Sequence, residues 1–103
     1  MKTANCIYVS INNKERYTYK HFYEFYSVTG IELGSDKNII FTKEDKEKLT
    51  NLLEKANKEL EYYKNRYSSY YNIEIEKYKY IIRTLKCTLK NILKGNNVEF
   101  FVE

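Results

Sequence analysis

The residue types able to do chemistry are few and scattered along this chain. A structural zinc site needs four ligands at close spacing, usually Cys or His. The chain offers Cys6, His21 and Cys87, with no paired spacing among them. A nucleophilic centre needs a nucleophile, a base and a group that orients the base. The single histidine, His21, stands between Lys20 and Phe22 in an aromatic run, where an ordinary structural histidine is the simpler account. Carboxylate-dependent nucleases gather several acids around Mg²⁺. Here the only aspartates are Asp36 and Asp45, and most glutamates sit among lysines in helical stretches. No glycine-rich phosphate loop is present. The expectation is a protein that is not an enzyme and holds no metal or cofactor. Toxin-like ribonucleases can work with Arg, Lys and Tyr alone, so that class is carried as a third reading.

Two constellations say more. The first is basic. With Tyr78 at zero on a helical wheel of about 100° per residue, Ile82, Leu85, Leu89 and Ile92 fall within about 40° of it. Lys79, Arg83, Lys86, Lys90 and Lys94 fall at about 80–160°, one continuous flank. No acidic residue occurs between Lys77 and Lys94, and the net charge of +4 can be assigned to residues 74–94, which carry six positive and two negative charges. In a heptad frame with Leu53 and Ile75 at a, Lys64 joins Lys79 and Lys86 at e, so a partner helix adds like charge. A solvated helix face is the bland account. The functional one is contact with an acidic surface or with phosphates.

The second constellation is aromatic. Of twelve tyrosines, Tyr62, Tyr63, Tyr67, Tyr70, Tyr71, Tyr78 and Tyr80 fall within one nineteen-residue stretch. A dry seam prefers Leu, whereas a seam with a wet edge suits Tyr, whose hydroxyl needs a partner. Tyrosine near Lys64 and Arg66 also matches the centre of a protein interface. The candidate partner-binding set is therefore Lys64, Arg66, Tyr62, Tyr67, Tyr70, Tyr71 and Tyr80 together with Lys79, Arg83, Lys86, Lys90 and Lys94.

The elements that must position these residues follow from periodicity. Ile7, Val9 and Ile11 alternate with Cys6, Tyr8 and Ser10 as a half-buried strand does. Asn12-Asn13-Lys14-Glu15 is a turn candidate because Asn tolerates positive φ. Residues 16–28 suit a strand, with Tyr17, Tyr19, His21, Tyr23 and Phe25 on one face; the competing helix would stripe Tyr19, Phe22, Tyr23 and Tyr26. Gly30 and Gly34-Ser35-Asp36 punctuate the chain, and Asn38–Phe41 reads as a short strand. Thr42 and Asp45 resemble a capping box with Asp for Glu. Leu49, Leu53, Ala56, Leu60, Tyr63, Tyr67 and Tyr70 then repeat at helical spacing, as do Tyr71, Ile75, Tyr78, Ile82, Leu85, Leu89 and Ile92. The two series slip phase at Ser68–Asn72. One unbroken helix would be about 78 Å long, against a diameter of roughly 33 Å for a compact chain of this size. The slip therefore reads as the loop of an antiparallel hairpin with arms of about 38 Å, its base on the sheet and its tip projecting. A continuous rod would have to pair with a second chain, so a homodimer stays open. Gly95 stops the second helix, and Val98, Phe100 and Val102 form a last strand.

The fold class is α+β: an antiparallel sheet of three to five strands with a helical hairpin in the C-terminal half, in the order ββ(β)βααβ. Residues 1–103 read as one domain, with strands over about 5–42 and 97–102 and the hairpin over about 43–94. No apolar run is long enough for a membrane span, and two cysteines make no disulfide framework, so a cytoplasmic protein is expected. Lys, Asn, Ile, Tyr and Phe number 15, 11, 10, 12 and 5, against 3, 2, 3 and 0 for Gly, Ala, Arg and Pro. That bias points to an A/T-rich genome, such as that of a low-GC bacterium or its phage. The leading expectation is a small binding protein of a phage or mobile element. It would inhibit host defence machinery, in the manner of anti-CRISPR or anti-restriction proteins, by gripping a larger host protein or nucleoprotein. The alternative is a small regulator that binds nucleic acid directly.

Overall fold

The computed structural model describes residues 7–19, 22–31, 33, 38–67 and 72–102, without the side chains of residues 15–19, 22–24, 67, 72 and 102. Its elements are β1 (Ile7–Ile11), β2 (Lys14–Tyr19), α1 (Phe22–Thr29), β3 (Ile39–Phe41), a 3₁₀ turn (Lys43–Asp45), α2 (Lys46–Tyr67), α3 (Asn72–Leu93) and β4 (Val98–Val102). The class is α+β, with one four-stranded antiparallel sheet in the order β2-β1-β4-β3 and an antiparallel α2–α3 hairpin. The hairpin arms are 22 residues each, about 33 Å rather than 38 Å. The radius of gyration is 13.8 Å and the longest dimension 40 Å, which excludes the continuous rod. Cys6, His21, Gly34-Ser35-Asp36, Tyr70, Tyr71 and residues 68–71 of the expected loop lie outside the described residues.

Alternation along β1 and β4 makes the sheet two-faced. Val9 pairs with Phe100 and Ile11 with Val98, while Ile39 and Phe41 of β3 take the other side of Phe100 and Val98. These residues form the core face. The opposite face carries Tyr8 stacked on Phe101 at 5.7 Å, with Ser10 and Glu99 paired beside them. The β1–β2 turn is Asn12-Asn13, with φ of 52° and 66°. Positive φ at both central residues matches the twist of a two-residue hairpin, and Asn tolerates it. The register slips between Val9–Tyr17 and Ser10–Glu15, so Arg16 is the extra residue of a β-bulge.

The expectation of a strand through residue 28 is corrected: it ends at Tyr19, and residues 22–29 are helix. Local preference for aromatics in strands loses here to burial and capping. Phe25 and Val28, three apart, are buried on one helical face. Gly30 at φ 70° ends the helix, its N–H donating to the Tyr26 carbonyl at 2.7 Å. Thr29 Oγ1 accepts from the Ile31 N–H at 3.1 Å and donates to the Phe25 carbonyl at 2.7 Å. The bracketed strand of the expected order is thus α1.

Phe100 is the middle of the core. Phe25 of α1 stacks on it at 5.3 Å and Phe41 of β3 meets it edge-on at 5.6 Å. The expected cap is present, with the Thr42 N–H donating to Asp45 Oδ2 at 2.8 Å as the chain enters the 3₁₀ turn. At the other end of the hairpin's second arm, an asparagine relay ties the α3–β4 connection to the β1–β2 turn. Asn96 Nδ2 donates to Asn91 Oδ1 at 3.1 Å, Asn12 Nδ2 to Asn96 Oδ1 at 2.9 Å, and the Asn97 N–H to Asn12 Oδ1 at 2.9 Å.

Candidate functional site

The basic flank lies on α3 and its C-terminal turn. Lys79, Arg83, Lys86, Lys90 and Lys94 are all exposed, and at 1.5 Å per residue they span about 22 Å. They are held by the buried side of the same helix. That side is wider than the spacing predicts, because α3 packs not only on α2 but also on α1, β4 and the 3₁₀ turn. Ile75, Tyr78, Ile82 and Leu85 form the seam toward α2; Thr84 and Thr88, also buried, extend the contact round the helix. Each threonine satisfies its hydroxyl by donating to the carbonyl four residues back, at 3.0 and 2.9 Å.

Most of the flank's charges have no acidic partner among the described residues. Lys79 meets Glu76 at 3.6 Å, and Lys64 on α2 meets Glu61 at 3.9 Å, both within one helical turn. Arg83, Lys86, Lys90 and Lys94 have no acidic partner among the described residues. Cys87 is half-buried, with Asn91 Nδ2 at 3.5 Å from its Sγ, in a crevice of about 240 Å³ shared with Tyr80, Arg83 and Thr84.

The aromatic residues gather elsewhere. Tyr63 of α2 stacks on Tyr78 of α3 at 5.4 Å, and Tyr62 stands perpendicular to Tyr63 at 5.4 Å. The Arg66 guanidinium lies over the Tyr62 ring at 4.7 Å. Below them runs a groove of about 400 Å³ lined by Ser27, Lys58, Glu59, Tyr62, Tyr63 and Tyr78. Tyr78 is buried at the floor of this groove, beside Glu59 of α2 and Ser27 of α1. Burial, then the adjacent Glu59 charge, push its pKa well above the usual range for tyrosine. Lys55 Nζ closes the rim by donating to the Ser27 carbonyl at 3.3 Å.

The single site expected from sequence is therefore divided. Tyr62 lines the groove with Ser27 of α1 and carries Arg66 over its ring, whereas Lys64 lies about 160° from Tyr62 around α2. Tyr80 sits on α3 beside Arg83. The side chain of Tyr67 is outside the described set, as are Tyr70 and Tyr71. Ser27 of α1 lies against the hairpin arms at Lys55, Lys58, Tyr62 and Tyr78, while the expected tip at 68–71 lies outside the described residues. Ser27, Lys58 and Glu59 are the groove residues that sequence reasoning missed. Their only signal was the α1 helix itself, which Gly30 as a cap would have revealed. Among the described residues no group of three or more His, Cys, Asp or Glu could hold a metal, and no helix is long and apolar enough to cross a membrane. No protein-family model, curated protein or solved structure matches the chain.

Proposed function

We propose that this chain is a non-enzymatic binding protein that docks its α3 flank on the acidic surface of a larger protein or nucleoprotein. The observation that carries this reading is the set Arg83, Lys86, Lys90 and Lys94: exposed, on one side of a helix anchored in the core, and without an acidic partner among the described residues. Like charges at i, i+3 and i, i+4 weaken a helix, so such a row is unfavourable to the fold and useful only to something outside it. Complementary charge on a partner accelerates encounter and sets register. Lys64 and Lys79 widen the flank across the hairpin, while Leu93, exposed beside it, offers apolar contact. A protein partner is favoured over bare nucleic acid because the chain has only three arginines and a net charge of +4. The composition bias fits a phage or mobile-element product that inhibits host defence machinery in the cytoplasm, of the anti-CRISPR or anti-restriction type.

The test is affinity capture from a low-GC bacterial lysate, with and without nuclease, using the native chain and the Arg83→Glu, Lys86→Glu variant. A protein retained after nuclease by the native chain and lost by the variant is the expected result. Retention by both refutes the flank. Loss on nuclease treatment, with a log–log salt slope near −3.6 for four phosphate contacts, transfers the reading to nucleic acid.

A further inference from the structure

The groove under the tyrosines is separate from the flank and independent of the reading above. We propose that it binds a nucleotide, with the base stacked on Tyr62 and the phosphate held by Lys58. Its volume of about 400 Å³ falls within the range that small-molecule sites occupy. Tyr62 is 53% exposed and stands at 89° to Tyr63, which itself is stacked on Tyr78. Two perpendicular rings, one backed by a buried third, make a rigid corner that takes a planar group by its face and edge.

Charge decides which planar group. Tyrosine faces attract cations in general, yet here Arg66 already covers one face of Tyr62 and Lys58 stands at the rim. A second cation would be repelled by both. An electron-rich ring with an attached anion meets the opposite situation: its ring faces a tyrosine already polarised by Arg66, and its phosphate meets Lys58. Bases stack on aromatic side chains without regard to sequence, and arginine strengthens such stacks. Glu59 supplies polarity inside the groove. It lines the groove beside Tyr78, and its carboxylate oxygens can accept from the exocyclic amine of a base.

The chemistry is the same for a free nucleotide and for the end of a single strand. The experiment is a backbone amide NMR titration of the whole chain with AMP, adenosine, ribose 5-phosphate, tetramethylammonium and a 5′-phosphorylated tetra-adenylate. AMP should shift the amides of Ser27, Glu59 and Tyr62 saturably, and ribose 5-phosphate should not. Tyr62→Ala should weaken AMP binding by roughly 5- to 150-fold, the range for losing one base stack. Lys58→Ala should weaken AMP but not adenosine. The Arg83→Glu, Lys86→Glu variant should bind AMP as the native chain does, which keeps this site distinguishable from the flank. Tighter binding of the tetra-adenylate than of AMP identifies a strand end, and equal or weaker binding a free nucleotide. Absence of saturable shifts with AMP at millimolar concentration, stronger binding of tetramethylammonium, or unchanged affinity in a folded Tyr62→Ala variant overturns the proposal.

Discussion

Reversing Arg83 and Lys86 to glutamate should make the protein more stable, not less. In the native helix Lys79–Arg83 and Lys86–Lys90 are like-charged pairs at i, i+4, and Arg83–Lys86 is one at i, i+3. Reversal turns the first two into opposite-charge pairs and leaves the third like-charged. Each such pair is worth about 0.2–0.5 kcal/mol in either direction, so converting two of them yields about 0.8–2 kcal/mol. Slightly poorer helix propensity takes back a few tenths. The expected gain is therefore about 0.5–1.5 kcal/mol, or roughly 2–12 °C in Tm for a domain of this size. The double change also brings the net charge from +4 to zero, so whole-molecule repulsion falls in the same direction. Urea unfolding followed by far-ultraviolet circular dichroism measures the difference, and the m-value should not move. Salt gives a second handle. Raising it to 0.1 M shortens the screening length to about 10 Å, which should stabilise the native chain more than the variant. A variant less stable by more than about 1 kcal/mol would show that Arg83 or Lys86 holds the fold together, and the flank would then not be a free surface.

Phe100→Ala should cost about 3–5 kcal/mol in urea unfolding, because it empties the space between Phe25 and Phe41; a loss under about 1 kcal/mol would displace Phe100 from the centre of the core. Asn12→Ala should cost about 1–3 kcal/mol by removing both side-chain bonds to the α3–β4 connection at a positive-φ position. Asn13→Gly, also at positive φ, should instead be neutral or mildly stabilising in the same assay. The Tyr78 phenol has its folded pKa raised above the ordinary value of 10.0, so above that pH the unfolded chain loses a proton that the folded chain keeps. Stability should fall with rising pH there by up to about 1.4 kcal/mol per unit from this group, and Tyr78→Phe should flatten that fall; an unchanged slope would refute the assignment.

The parts of the fold that were legible are those where one periodicity acts alone. β1 and β4 alternate cleanly, and the register pairs Val9 with Phe100 as their pattern requires. The two helical series of the hairpin were separable because the slip at Ser68–Asn72 breaks a repeat that is regular on both sides. Residues 22–29 were not legible as helix, since a run of Tyr and Phe suits a strand locally, and it is the burial of Phe25 and Val28 with the Gly30 cap that favours the helix. That one element moved the site. A strand would have left Tyr62, Tyr63 and Tyr78 without a third wall, whereas α1 places Ser27 beside them and completes the groove. The basic flank was legible because its residues share one helix and follow a single period. The groove was not, because it is made by residues from three helices whose approach no local pattern encodes.

The sheet order has a consequence for synthesis. β4 is central, between β1 and β3, yet it is made after both of them. At about 5–20 residues per second, β1 waits several seconds for the strand that pairs with it from Ile7 to Ile11. During that interval the β1–β2 ribbon exposes a complete edge of unpaired N–H and C=O groups, the template on which strands from other chains add. Two devices shorten the hazard once β4 emerges. The positive-φ Asn12-Asn13 turn sets the ribbon's twist in advance, and Asn12 then receives the incoming Asn96-Asn97 segment at the point where pairing with β1 begins. Docking of β4 thus starts at the turn and proceeds toward Val102, closing the nascent edge from one end.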